Sequence, residues 1–115
     1  MSFRSIDSPP CVASLVWVYI LETTDGSLYI GQSRDVRERL RKHRFGLGSK
    51  HTADHAGPRL VYVEGPLSLS DGVDRERQLK RWSRAKKEAL IKGELARLRA
   101  LSQSRESDKL LNTEY

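Results

Sequence analysis

The sequence predicts an α+β fold, a three-stranded, mainly antiparallel sheet flanked by about three helices in the order β-β-α-β-α-α. Three observations predict it. The run Leu15-Val16-Trp17-Val18-Tyr19-Ile20-Leu21 is aromatic, β-branched and of strand length. Asp25-Gly26 follows as a hairpin turn, so the next strand returns antiparallel beside the first. The rest of the chain is rich in Lys and Arg and carries apolar residues at helical spacing. A sheet this small buries little alone, so the helices must complete the core.

Each element follows from local chemistry. Residues 1–14 hold Ser5, Ser8, Pro9, Pro10 and Ser14 and read as a flexible arm. The domain proper spans 15–101. Leu28-Tyr29-Ile30-Gly31 is the returning strand. Asp35-Val36-Arg37-Glu38 forms a capping box, with the acid at the cap and Glu38 three residues on. Its helix sets Val36, Leu40 and His43 on one face and Arg37, Arg41 and Arg44 on another. Phe45-Gly46-Leu47-Gly48 ends it, and a polar loop leads to Pro58. Leu60-Val61-Tyr62-Val63 is a third strand, stopped by Gly65-Pro66. Ser70-Asp71-Gly72 starts a helix running to about Arg81, anchored by Val73 and Leu79, with Asp71 and Asp74 as favourable N-terminal charges. Ser83 caps a further helix with Ala85, Ala89, Leu90, Leu95, Leu98 and Leu101 as its apolar positions. Those last leucines are either core or a dimer surface, and the oligomeric state stays open. Gly93 costs that helix about 1 kcal/mol relative to Ala and predicts a kink or an early stop. Residues 102–115 read as a flexible tail.

Composition narrows the function classes. The 115 residues carry a formal net charge of +6, enough chain for one small domain and one modest core. No apolar run approaches the roughly 18 residues of a membrane span. Met1-Ser2-Phe3-Arg4 lacks the pattern of a secretory signal, so the expected compartment is the cytoplasm. The single cysteine, Cys11, excludes an internal disulfide and reads as an ordinary thiol. Charge is concentrated: residues 34–59 carry net +5 and residues 75–99 net +7, with net −3 between them. Two basic blocks predict a face that attracts phosphate groups, with salt-dependent binding. Arg37, Arg41, Lys42, Lys50, Lys80, Arg84, Lys86 and Lys87 are its candidate nucleic-acid contacts. His51 and His55, beside Asp54, read as a polar loop rather than a metal site. Tyr62 reads as core and Trp82 as a packing residue.

The chemistry-bearing residues form an ordered set. Tyr19 and Tyr29 fall on the two hairpin strands, where a turn at Asp25-Gly26 makes them neighbours. Arg39 follows Val36 on the first helix and flanks its buried seam, aimed toward the tyrosines. His43 lies one turn further on, and Glu76 sits on the second helix in a basic neighbourhood. Two phenols, a guanidinium, an imidazole and one carboxylate are the parts for phosphodiester hydrolysis. One carboxylate suffices for one Mg²⁺, which keeps most of its waters. Arginine stabilises the charge of the transition state, and a tyrosine beside cations can take the attacking water's proton.

With Trp17-Val18-Tyr19, Tyr29-Ile30-Gly31, the helix of Arg39 and His43, and Glu76 in this order, the sequence resembles the GIY-YIG nuclease family. Val18 to Gly31 and Gln78 to Ile91 are similar to its small, single-domain bacterial branch. The likeness covers residues 16–92. It implies a divalent-metal-dependent endonuclease, using a single Mg²⁺ or Mn²⁺ ion, that cuts DNA in one hydrolytic step. Tyr29 would be the general base, Arg39 the contact to the scissile phosphate and Glu76 the metal ligand. Tyr19 would support the site by hydrogen bonding, with His43 near the reaction centre. Relatives serve in repair, recombination, restriction and intron homing. Trp17 and Val18 replace the first glycine and the isoleucine of the motif. Gln32 stands where some members carry a phosphate-facing lysine, and so joins the candidate nucleic-acid contacts. The asparagine that follows the glutamate in some members has no counterpart, because the only asparagine is Asn112.

Two function classes compete. One is an endonuclease acting on branched or nicked DNA. The other is a nucleic-acid-binding module of the same fold with little or no activity, because so small a chain has little room for sequence readout. A protein partner would then supply specificity. RNA ranks lower, since the strands lack an aromatic platform.

Overall fold

The computed structural model describes residues 3–45 and 57–112, with side chains over 3–42 and 57–103. The elements run β1 (Val16–Glu22), β2 (Leu28–Ser33), α1 (Val36–Phe45), β3 (Arg59–Leu67), α2 (Leu69–Arg81), α3 (Arg84–Lys92) and α4 (Leu95–Asn112). The expected α+β class and its antiparallel three-stranded sheet are present, with strand order β2-β1-β3.

β1 is central, which explains its near-continuous apolar sequence: both faces are covered and only Trp17 is partly exposed. Its pairing with β2 sets Tyr19 opposite Gly31 and Leu21 opposite Tyr29. Tyr19, Leu21, Val36 and Leu60 form a buried cluster on one face, with Trp17, Leu40 and Val63 packed around it. The apolar stripe of α1 expected from Val36 and Leu40 is therefore the stripe that meets the sheet. Asp35 caps α1 as expected, with the Glu38 amide donating to Asp35 Oδ1 at 3.0 Å, but the box does not close, since the Asp35 amide donates to Ser33 Oγ and the Glu38 carboxylate pairs with Arg41.

The opposite pleat carries Val16, Val18, Ile20 and Gln32, and α2 lies on it. Gly72 makes that approach possible, since a Cβ there would fall 2.4 Å from Val16 Cγ2. Arg75 then fastens α2 to β3, its Nε and Nη2 donating to the two Glu64 oxygens at 2.7 and 3.1 Å.

Two local expectations change. β3 does not stop at Gly65-Pro66 but runs on to Leu67, which pairs with Val16. β3 is an edge strand, where a missing N–H does no harm, and a bulge between Val16 and Val18 absorbs the change of register. The segment read as a flexible arm is tied to the sheet. Phe3 is buried, its amide donating to Glu22 Oε1 at 3.3 Å, and the Ile6 amide donates to Leu60 O at 2.9 Å. Trp17, in the place of the family's first glycine, donates from Nε1 to Pro10 O at 2.9 Å.

The chain divides into two compact units after Lys80. In the second, Ser83 caps α3 by accepting from the Lys86 amide at 3.2 Å. Gly93, at φ 72°, ends α3 in the left-handed conformation that glycine adopts without strain. The early stop expected at Gly93 is present, and the chain goes on as a separate helix, α4, which packs on α3. α4 runs on to Asn112, beyond residue 102, where the tail was expected to begin.

Candidate active site

The site is built on the β1–β2 hairpin, α1 and α2, all within the first unit. Tyr19 starts from the central strand, and its ring lies over Gly31 of the edge strand. The phenol therefore reaches outward over β2. Tyr29 stands on the same face, diagonal to Tyr19 rather than directly opposite, and is half exposed.

The charges on the Tyr19 phenol show what surrounds it. Burial pushes its pKa up to about 12; Arg39 pulls it down, while Tyr29 and Glu76 push it up. Three of the other expected groups thus act electrostatically on Tyr19. His43 belongs to α1, but its side chain lies outside the described residues. A phenol held near 12 keeps its proton at neutral pH and can donate a hydrogen bond. Tyr29, on the exposed side, is better placed to meet water.

Glu76 projects from α2, its side chain 20% exposed. Gln32 Nε2 donates to Oε1 at 3.0 Å, and Lys80 Nζ pairs with Oε2 at 2.8 Å. That pairing raises the Lys80 pKa, first through the hydrogen bond and then through the charge of Glu76. Gln32 Oε1 is buried with no hydrogen-bond partner among the described residues. It lies beside Gly72, where a Cβ would approach it to 2.9 Å. No group of three metal-ligating side chains occurs among the described residues. A lone carboxylate with two donors still has open lone pairs. That donor set fits one ion holding most of its shell as water.

The candidate phosphate contacts separate into groups. Arg37 and Lys42 are exposed on α1. Arg41 is exposed but paired with Glu38 at 2.8 Å, and Arg84 with Glu88 at 2.8 Å. Lys87 is partly exposed, and Lys50 lies outside the described residues, as do His51, Asp54 and His55. Two assignments are corrected. Lys86 is only 5% exposed, with its ammonium 4.2 Å from the centroid of the Trp82 ring. A cation spent on an aromatic face and shut from solvent cannot meet a phosphate. Gln32 turns to Glu76 rather than outward, so it serves the carboxylate.

Sequence reasoning missed Arg77, which lines a groove of ≈ 330 Å³ with Val73, Glu76 and Lys80. Its spacing of three residues from Lys80 was the available signal. Tyr62 is more than the core residue expected, since its hydroxyl donates to Glu64 Oε1 at 2.5 Å.

A family model described as the GIY-YIG catalytic domain matches residues 15–89. UPF0213 proteins of Staphylococcus aureus strains Mu3 and N315 are each 42% identical over 76 residues, 66% of this chain and 93% of theirs. A solution NMR structure of a UPF0213 protein from Bacillus halodurans shares 40% identity, with a TM-score of 0.46, over 68% of this chain and 83% of that one. Among the described residues no helix is long and apolar enough to cross a membrane.

Proposed function

Because the chain belongs to the GIY-YIG catalytic-domain family, we propose that it is a divalent-metal-dependent endonuclease that hydrolyses DNA phosphodiester bonds in one step. The observation that carries this reading is the placement of the Tyr19 ring over Gly31, with Tyr29 diagonal to it on the same face and Glu76 held by Gln32, the next residue of β2.

Arg39 holds the non-bridging oxygens of the scissile phosphate and stabilises their charge as the attacking water bonds to phosphorus. Tyr29, as its phenolate, accepts that water's proton as the bond to the leaving oxygen breaks, and the departing oxygen takes a proton from solvent. Tyr19, keeping its proton, donates a hydrogen bond into the site. Glu76, oriented by Gln32, is the residue that holds a single Mg²⁺ or Mn²⁺. When bound, that ion supplies charge neutralisation and an acidified water. His43, one turn beyond Arg39, completes the set. Arg37, Arg41, Lys42 and Lys80 give nonspecific backbone affinity, which suits branched or nicked DNA in cytoplasmic repair or recombination. A protein partner would then supply target choice.

A second reading, a binding module without activity, draws on one observation: Lys80 already neutralises Glu76. A cleavage assay separates the two. Supercoiled plasmid and nicked and branched duplexes are incubated with wild type, Glu76→Ala and Arg39→Ala, in Mg²⁺, Mn²⁺ or EDTA. The nuclease reading expects metal-dependent cutting that both variants lose while still folding and binding DNA. Cutting that persists in Glu76→Ala removes the site assignment. Binding without cutting on every substrate favours the module.

A further inference from the structure

Glu76 and Lys80 make an unequal pair. The carboxylate side chain is 20% exposed and the lysine 56%, at 2.8 Å. The carboxylate is fixed from its other oxygen by Gln32 at 3.0 Å. Among the described residues no second hydrogen bond or ion pair holds the ammonium, and an i,i+4 partner whose own side chain is 56% exposed exchanges readily. Beside it lies the groove of Val73, Glu76, Arg77 and Lys80. Arg77 is exposed there. Two cations one turn apart suit an anion, but a carboxylate between them repels it unless its charge is taken up. Lys80 takes it up at present. A divalent ion on the same carboxylate would take it up more strongly and would repel the ammonium.

We propose that Lys80 is a shared ligand. It neutralises Glu76 in the metal-free protein. When a divalent ion binds Glu76, Lys80 passes to a backbone phosphate of the bound strand, seated in the groove with Arg77 as its second ligand. This rests on the reading of Glu76 as the metal ligand. It makes metal and DNA binding cooperative, since both draw the ammonium away from Glu76, and the coupling is reciprocal.

The test uses the full chain, with free Mn²⁺ followed by electron paramagnetic resonance in the absence of DNA. Lys80→Met should bind Mn²⁺ about two- to fivefold more tightly than wild type, the range expected for losing an exposed competing ion pair. In a second measurement, Ca²⁺ should strengthen the binding of a nicked duplex more in wild type than in Lys80→Met. Arg77→Ala should lower the salt slope of DNA binding by about one. The inference is overturned if Lys80→Met binds Mn²⁺ no more tightly, or if Ca²⁺ strengthens DNA binding equally in both. Glu76→Gln tells the two failures apart. If it leaves Mn²⁺ binding untouched, the metal reading falls and takes this one with it. If it abolishes Mn²⁺ binding while Lys80→Met changes nothing, this inference falls alone.

Discussion

The phenol of Tyr19 lies over Gly31, its partner across the β1–β2 ladder: a Cβ on Gly31 would fall 2.6 Å from the Tyr19 hydroxyl oxygen. The glycine is there for space. Only a residue without a side chain lets a central-strand tyrosine lie across the edge strand. The last position of Tyr29-Ile30-Gly31 and the last position of Trp17-Val18-Tyr19 are therefore one device, a ring and the gap that receives it.

Gly31→Ala should displace the Tyr19 ring. Overpacking of this kind costs about 1–3 kcal/mol. Cleavage should fall at least as far as in Tyr19→Phe, because the substitution moves the hydroxyl and crowds the site as well. DNA affinity should change less than about threefold, since the exposed cations of α1 are untouched. Urea denaturation, plasmid cleavage and a binding titration check the three parts. Full activity in Gly31→Ala would remove Tyr19 from the site.

Much of this frame is legible in the sequence. Asp25-Gly26 marks the hairpin, and the spacing of Val36 and Leu40 marks the buried face of α1, because both signals are local. Tyr19, Tyr29 and Arg39 follow from that local frame. Glu76 does not: several acids sit on helices, and only the family resemblance singles it out. What the sequence hides depends on distant partners. Phe3 docks because Glu22, nineteen residues on, is a buried acceptor. Gln32 turns inward because α2 brings Glu76 to it. Lys86 reads as one more surface cation, because Trp82 stands before the Ser83 cap, outside the helix that carries Lys86, and no helical spacing links the two.

The Tyr19 phenol should leave its mark on alkaline stability. Its pKa is pushed from 10.0 up to about 12 by burial. Above pH 10 the unfolded chain loses this proton while the folded chain keeps it, so stability falls as pH rises from 10 toward 12. The loss from this group is on the order of 2 kcal/mol. Tyr62 adds to the trend, since burial first and the Glu64 partner second hold its proton as well. Tyr19→Phe should therefore flatten the stability profile in part. An unchanged slope in that variant would show that the phenol is not buried as described.

Arg75 should act on catalysis without touching substrate. Its two bonds to Glu64, and the Tyr62 hydroxyl on the same carboxylate, hold the segment of α2 that carries Glu76. Arg75→Met should cost about 1–3 kcal/mol. It should also lower kcat more than it raises KM, because Glu76 loses its position rather than the enzyme its grip on DNA. A larger effect on KM than on kcat would make Arg75 a DNA contact instead.

Glu22 and Arg59 should make the N-terminal segment a stability element. Glu22 is fully buried, and its Oε1 accepts from the Phe3 amide at 3.3 Å and from Arg59 Nη2 at 3.2 Å. Arg59 also donates to the Phe3 carbonyl. Breaking a buried pair by removing one partner costs about 3–5 kcal/mol, with the partly exposed Arg59 at the lower end. Arg59→Met should therefore lower Tm by roughly 10 °C or more, and removal of the residues through Ile6 should lower it comparably. A truncated chain as stable as the full one would return that segment to the status of a free arm.

The separation of the cations makes a last prediction, which salt titration reads directly. Each phosphate neutralised contributes about 0.9 to the slope of log affinity against log salt. Arg37 is exposed on α1 and lines a groove of ≈ 420 Å³ with Ser8, Pro9, Pro10, Cys11 and Asp35. Lys86 carries the same charge, but its ammonium lies 4.2 Å from the Trp82 ring centroid and out of solvent. Net charge falls by one in either variant, so a long-range field alone would weaken both equally. Arg37→Ala should reduce the slope by about one, and Lys86→Met should leave it unchanged while lowering Tm through the lost cation–π contact. Equal slopes in the two variants would mean that DNA responds to the summed charge of the protein and not to particular side chains.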